Sequence, residues 1–440
     1  MLRPGLGAEA PGVASGVRGR IVTAPACLDG RRLGRDIGGV QRMNVVFLTP
    51  WYPTSDHRYG GIFVREYARA IQPRCNVVVL HCGIAERALA GWWAVEEERD
   101  DLLAAGVPCY RVRFRPSSIR GCSLPRYLGS VMHAVTAAAK KHGRPDLIHA
   151  HVYSTGLPAL LVGKVRGIPV AVSEHYTGFQ RGALTAAEMR RARWIFRMAD
   201  AVLPVSQALQ HSLRELGVQA RFHVVPEVVN TELFGFKQYV PAPDGTLRLL
   251  AVSSLIESKG LGVLFRALTQ EVWQTRPWSL DLVGDGPEAA RHREMARDLG
   301  LADKVRFHGQ LRKEEIAELM HRVDVFVLPS LAETFSVATA EALASGLPVV
   351  VTRCGGPEEF VTEQSGITVP AGNADALTGA LAAMMGRLRH YDRSAIARDA
   401  ADRFGSVRVG DMLCELYGQL LSSARHAPSA EGPVEGVRRP

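Results

Sequence analysis

From Met43 onward the sequence alternates short, continuously apolar runs with amphipathic stretches, and after one interruption the same alternation starts again. Asn44–Thr49, Val77–Leu80, Leu147–His149, Pro169–Ser173 and Ala201–Val205 are apolar without the polar-apolar alternation of a half-exposed strand. Between them Gly61–Ile71, Tyr127–Lys141, Leu157–Val165 and Ala186–Met198 have helical spacing. Strands apolar on both faces, separated by helices, belong to a parallel sheet covered on both sides. Pro241-Ala-Pro-Asp-Gly245 interrupts the pattern with linker chemistry. The alternation then resumes with strands at Leu247–Ser253, Leu280–Val283, Val305–His308, Val325–Leu328 and Pro348–Val351, and helices at Leu261–Gln270 and Glu288–Leu299. The fold class that follows is α/β, two doubly wound Rossmann-like domains facing a central cleft. Their expected extents are 43–240 and 247–405, with a linker at 241–246 and a helix at 406–422 crossing back to the first domain. Residues 1–42 and 423–440 lack periodicity and read as disordered extensions, with Met43 a candidate natural start. In such sheets ligands bind at the carboxyl ends of the strands.

Charge divides the chain in the same place. Residues 43–240 carry +9 and residues 241–411 carry −4, the first 42 adding +4. The first domain therefore faces something anionic, such as a membrane surface or a phosphorylated acceptor. Nucleic acid is not expected, because no zinc-finger spacing, helix-turn-helix signature or aromatic RNA-binding box accompanies the charge. No run approaches the ~20 apolar residues of a membrane span, and Arg18, Arg20, Arg31 and Arg32 interrupt any signal-peptide layout. Seven scattered cysteines without a C-x-x-C pair read as reduced cytoplasmic thiols.

The segment Pro329-Ser-Leu-Ala-Glu333-Thr-Phe335-Ser336-Val337-Ala-Thr-Ala-Glu341 carries the most chemistry. A strand ending at Leu328 feeds a loop and a helix from about Ser336, so free amides around Phe335, Ser336 and Val337 form a natural cradle for a diphosphate. Glu333 and Glu341 flank that cradle, ~12 Å apart if the path were wholly helical. A nucleotide diphosphate-sugar suits the arrangement, one carboxylate accepting from sugar hydroxyls and the other from the ribose diol. The helix dipole accounts for Glu333 by itself but not for Glu341 deep in the helix. Two carboxylates beside a diphosphate call for a cation. The chain has no Asp-x-Asp pair, so no metal is expected, and Lys259 of Ser258-Lys259-Gly260 follows a strand into the crevice. Gly284-Asp-Gly286-Pro287 is a strand-to-helix turn whose glycines permit close backbone approach, and Gly60-Gly61 opens the first long helix similarly. At the end of a first-domain strand, His149 should point into the sheet and His151 should reach a ligand, with Glu174-His175-Tyr176 similarly placed after the next strand.

Together these residues resemble glycosyltransferase family 4, retaining enzymes with the GT-B fold, over roughly residues 43–422, in the version seen in surface-polysaccharide members. Val224-Val-Pro226-Glu227-Val-Val-Asn-Thr-Glu-Leu-Phe234 is similar to the family's hinge-proximal segment, and Ser173-Glu174-His175-Tyr176-Thr-Gly178 to its surface-polysaccharide form. The resemblance implies that Glu341 binds the ribose, Glu333 the transferred sugar, and Lys259 the diphosphate. It further implies that His151 lies beside the reacting face and that Gly60-Gly61 borders donor and acceptor. The implied reaction is retaining transfer from a nucleotide diphosphate-sugar to a lipid-linked or polysaccharide acceptor, with leaving-group charge stabilised by Lys259 and helix amides. Three positions depart from the family: Ser254 where an arginine is common, Glu227 for asparagine and Ser336 for glycine.

A nucleotide-sugar epimerase, or an inactive transferase-like protein that binds carbohydrate, is the alternative. A dehydrogenase lacks its Gly-x-Gly-x-x-Gly after the first strand. Arg190, Arg193 and Arg197 fall on one face of a helix beside Trp194, and Trp92-Trp93 occupies what reads as an exposed loop. Both suggest a peripheral contact with anionic lipid on the inner face of the cell membrane.

Overall fold

The computed structural model describes residues 42–56, 58, 60–85, 89–100, 106–117 and 123–426. The readings for residues 1–41 and 427–440 lie outside them. The first half runs β1 (Met43–Thr49), α1 (Ile62–Ile71), β2 (Cys75–Ile84), β3 (Trp93–Glu97), β4 (Cys109–Phe114), α2 (Ser123–His142), β5 (Leu147–His151), α3 (Tyr153–Arg166), β6 (Val170–Glu174), α4 (Ala186–Met198), β7 (Ala201–Pro204) and α5 (Gln207–Glu215). The second runs β8 (Leu247–Val252), α6 (Leu261–Leu268), β9 (Trp278–Val283), α7 (Ala289–Asp298), β10 (Val305–Gly309), α8 (Lys313–Arg322), β11 (Val325–Leu328), α9 (Val337–Ala344), β12 (Val349–Arg353), β13 (Gly366–Pro370), α10 (Ala374–Arg387) and α11 (Arg393–Phe404), followed by α12 (Ser406–His426).

The strand orders are β3-β4-β2-β1-β5-β6-β7 and β10-β9-β8-β11-β12-β13. All ladders are parallel except β3–β4. In each sheet the order reverses beside the first strand of the half, at β1–β5 and β8–β11, which opens a crevice at the strand ends. The strands β5, β6 and β7 are buried at every position, which explains their lack of alternation.

Three strands, β3, β4 and β13, have no counterpart in the sequence reading. β3 is half-exposed and β4 contains Arg111 and Arg113, so neither shows a continuous apolar run. Trp93 is accordingly not a loop residue: it opens β3, and its ring lies against Gly129 of α2. Trp92 does remain exposed, under the Arg126 guanidinium. The helix read at 406–422 continues to His426, so residues 423–426 are not a disordered tail.

α12 buries Val409, Leu413, Leu416, Tyr417 and Leu420 in the same core as Val45, Phe47, Tyr67 and Ile71 of the first half. Gly410 makes the crossing possible, since a Cβ there would lie 2.4 Å from the Ala70 carbonyl oxygen. The two halves also share a core in which Val229 and Phe234 join Phe335, Phe360 and Phe404. The Val229 amide donates to the Phe404 carbonyl at 2.8 Å.

Candidate active site

The second-half part of the crevice is assembled by three turns stacked backbone on backbone. Gly260 adopts φ +65°, and a Cβ there would be 2.0 Å from the Pro329 carbonyl oxygen. That contact brings the short helical turn Glu257–Lys259 against the loop after β11. The Lys259 ammonium then donates to Glu333 Oε1 at 2.7 Å, and the Ser330 hydroxyl donates to the same oxygen at 2.8 Å. Gly284 and Gly286 point their Cβ directions at the Ser253 and Leu255 backbones, at 1.8 and 2.5 Å. Their missing side chains are thus demanded by the neighbouring turn.

Glu333 leads into α9 through Ser336, its N-cap, which holds φ 72°. For a residue other than glycine this conformation stores about 1–3 kcal/mol. It is compensated in part by the serine oxygen accepting from the Thr339 amide. The amides of Ser336, Val337 and Ala338 have no acceptor among the described residues, as at any helix start. The Phe335 ring cannot bind a donor directly, since it packs between Phe360 and Phe404 in the shared core. Only its backbone is available.

Glu341 is 4% exposed inside α9. Burial raises its carboxyl above the usual range, opposed by the neighbouring Lys313 ammonium, which donates to Oε1. Its Oε2 has no hydrogen-bond partner among the described residues. Lys313, the first residue of α8, was not picked out from the sequence, because a lysine beginning a helix is unremarkable until Glu341 is seen beside it. Ser254 is exposed in the loop after β8.

In the first half, His151 does not project beyond its strand. It is the last residue of β5 and is fully buried, against Phe47, Tyr67 and the stacked ring of His149. Burial, with His149 and His175 beside it, holds His151 well below the usual imidazole range. Its Nδ1 bonds His175 Nε2 at 3.2 Å, whereas its Nε2 is unpartnered. His149 does point into the sheet, between the hydroxyls of Tyr417 and Ser173 at 2.7 and 2.8 Å. Burial pulls it down to about 3.

Glu174 is displaced from the acceptor side by the structure. It is fully buried, and its carboxylate accepts from the amides of Tyr153, His175 and Tyr176. This caps the start of α3 and the turn after β6. His175 bonds Glu227 Oε1 at 2.7 Å, and its carbonyl accepts from Thr334 Oγ1 of the second half at 3.1 Å. That bond joins the two sides of the crevice. Glu359 does the same at the start of α5, accepting from the Gln207 amide at 2.9 Å and from that of Ala208. Gly60 is exposed, while Gly61 sits at φ +68° with its Cβ direction 2.3 Å from the Trp51 backbone, so it is required for the turn into α1.

Two family profiles cover most of this architecture. One described as Glycosyltransferase Family 4 matches residues 60–233, and one described as Glycosyl transferases group 1 matches residues 246–387. The chain belongs to glycosyltransferase family 4. The transferase is 29% identical to the amylovoran biosynthesis glycosyltransferase AmsK of Erwinia amylovora over 284 residues, 61% of this chain and 69% of that protein. It is 26% identical to D-inositol 3-phosphate glycosyltransferase 1 of Catenulispora acidiphila over 438 residues, 93% and 96% of the two chains. Among solved structures, Anabaena HepE in complex with UDP-glucose superposes with a TM-score of 0.67 at 20% identity, covering 86% of this transferase and all of that chain. The fold is GT-B, as the paired parallel sheets require.

Proposed function

We propose that this transferase moves a hexose, with retention of anomeric configuration, from a nucleotide diphosphate-sugar to a lipid-linked or polysaccharide acceptor in cell-surface glycan synthesis. One observation carries the donor assignment. Glu341 is buried, held on one oxygen by Lys313 and unpartnered on the other. A buried carboxylate oxygen without a donor costs about 1–3 kcal/mol, and a ribose hydroxyl would remove that cost. The open amides at the start of α9 and the Lys259 ammonium beside Glu333 suit a diphosphate and the sugar it carries. The unpartnered Nε2 of His151 suits a sugar hydroxyl from the opposite side. In this reading Lys259 turns from Glu333 to the phosphates as leaving-group charge develops, and no metal is needed. The acceptor hydroxyl attacks on the leaving-group face and gives its proton to the departing phosphate. AmsK, named for amylovoran biosynthesis, and HepE, solved with UDP-glucose, support the acceptor and donor classes.

The acceptor end of the reading is peripheral and cytoplasmic. No helix among the described residues is long and apolar enough to cross a membrane. Trp194 and Met198 of α4 are about half exposed beside the exposed Arg190, Arg193 and Arg197, and Leu161 and Val165 of the adjoining α3 are exposed as well. An apolar patch ringed by arginines matches an anionic lipid surface. Flotation with anionic vesicles should recover the protein, and recovery should fall with added salt and with the three arginines changed to glutamine.

The donor assignment is tested by calorimetric titration of UDP-, GDP- and ADP-glucose against wild type and Glu341→Ala. The wild type should bind one of them, and the variant should bind it about tenfold or more weakly, the loss of a hydrogen bond to a charged group. Equal affinity in the two proteins would place the ribose elsewhere. Chelator should leave transfer unchanged, and rescue of a chelated enzyme by magnesium would refute the charge argument.

A further inference from the structure

Glu227 stands where the family commonly has asparagine, and its carboxylate is 5% exposed, in contact with a histidine that is itself in contact with another. The order is Glu227 Oε1, His175 Nδ1 at 2.7 Å, His175 Nε2, His151 Nδ1 at 3.2 Å, and finally His151 Nε2 with no partner. The proton count along this chain is restrictive. An ionised carboxylate only accepts, so His175 Nδ1 carries the proton of the first bond. A neutral His175 protonated there can only accept at Nε2, so His151 donates from Nδ1. A neutral His151 that spends its proton at Nδ1 has a bare lone pair at Nε2.

We propose that Glu227 is a positioning residue which, through His175, holds His151 in the tautomer protonated at Nδ1, so that Nε2 is an acceptor for a hydroxyl of the transferred sugar. The assignment of Nε2 to a sugar hydroxyl rests on the transferase reading above; the tautomer does not. The surroundings favour the neutral chain. The His149 ring stacks on His151 at 4.4 Å, and the His175 ring lies nearly parallel to it at 5.4 Å. Burial and the neighbouring imidazoles hold His149 and His151 below the usual imidazole range, so both rings are neutral. Among the described residues the Tyr67 phenol also faces the pair, and it donates to the Pro226 carbonyl at 2.8 Å. Burial and the adjacent Glu227 carboxylate hold that phenol well above its usual range, so it stays protonated and neutral. The apolar neighbours are Phe47 on His151 and Phe63 on His175.

An amide at position 227 cannot enforce the same order, because it presents both a donor and an acceptor to His175 Nδ1. With a donated amide hydrogen His175 carries its proton on Nε2, His151 must accept at Nδ1, and its Nε2 then becomes a donor. The test is long-range 1H–15N spectroscopy of the full chain with 15N-labelled histidine at pH 8, the His151 signals assigned by their loss in His151→Gln. Wild type should show His151 protonated at Nδ1 and bare at Nε2. Glu227→Gln should shift His151 toward protonation at Nε2, and Glu227→Asp should restore the wild-type pattern. In transfer assays Glu227→Gln should lose about tenfold or more in kcat, as an imidazole held in the wrong tautomer does, with donor KM changed less than twofold and Glu227→Asp recovering most of the rate. A wild-type spectrum with Nε2 protonated overturns the proposal without touching the donor assignment, and it does so even if the variants do not fold. A Glu227→Gln spectrum that matches wild type also overturns it, as does a tautomer change that leaves kcat intact.

Discussion

His149 should make the stability of the first half steeply acid-sensitive, by an amount that can be worked out. It is fully buried between Tyr417 and Ser173, and burial, with His175 nearby, lowers it to about 3. In the unfolded chain its pKa returns to about 6.5. The folded value is the depressed one, so the contribution is present above the unfolded pKa and is lost as pH falls through it. Between pH 7.5 and 5.5 the unfolded histidine takes up a proton that the folded one refuses, which removes about 1.4 kcal/mol of stability. Replacing it with glutamine leaves the Tyr417 and Ser173 hydroxyls imperfectly paired and should cost about 1–3 kcal/mol at pH 7.5. His149→Gln no longer pays the acid penalty, however, so its deficit relative to wild type should shrink by about 1.4 kcal/mol at pH 5.5. Glu174 and Glu341, whose carboxyls are raised by burial, stabilise in the opposite direction. They are common to both proteins and cancel in the difference. The measurement is urea unfolding at the two pH values, followed by fluorescence and circular dichroism with coincident transitions. A deficit that stays constant across this pH range would refute the account, since it would mean that His149 is protonated in the native state or remains shielded in the unfolded one.

Three further outcomes follow from the crevice. Gly260→Ala should lower stability by about 1–3 kcal/mol in thermal melts, because the new methyl meets the Pro329 carbonyl and the φ of +65° disfavours it; an unchanged melt would mean that the three turns are not stacked as described. Ser336→Gly should be close to neutral, the relief of about 1 kcal/mol of left-handed strain offsetting a cap bond of about the same worth, and a loss beyond about 2 kcal/mol would show that the cap dominates. Lys313→Met should destabilise the apo protein by about 1–3 kcal/mol, discounted for the lysine's partial exposure, by leaving the Glu341 carboxylate buried without its cation. That loss should fade in acid as the carboxyl protonates, and a pH-independent loss would argue for a packing effect instead.

Parts of the molecule were legible because they depend on neighbours in the chain. Continuous apolar runs alternating with helices require parallel sheets buried on both faces, and the break at Pro241–Gly245 separates two of them. The spacing from Glu333 to Glu341 puts one carboxylate before a helix and one inside it, a relation that local geometry alone sets. The edge strand β3 and its neighbour β4 escaped because they are half-polar, and β3 gains its place only by antiparallel pairing with β4.

The sequence by itself determined the two layered sheets, the crevice at their strand ends and the helix start flanked by two acids, since each follows from short-range periodicity. Tertiary structure alone decided what each of those groups touches. Glu174 became a cap because the start of α3 folds onto it, and Gly284 became a packing contact because the Ser253 backbone lies against it. Lys313 meets Glu341 across 28 positions. His151 is sealed in by Tyr67 from α1, while its neighbour His149 is bonded by Tyr417 from α12, 268 positions away. A side chain's charge, tautomer and availability depend on the dielectric and the partners around it. Those are supplied by segments that chain reversals bring together, and no local pattern records which segments they will be.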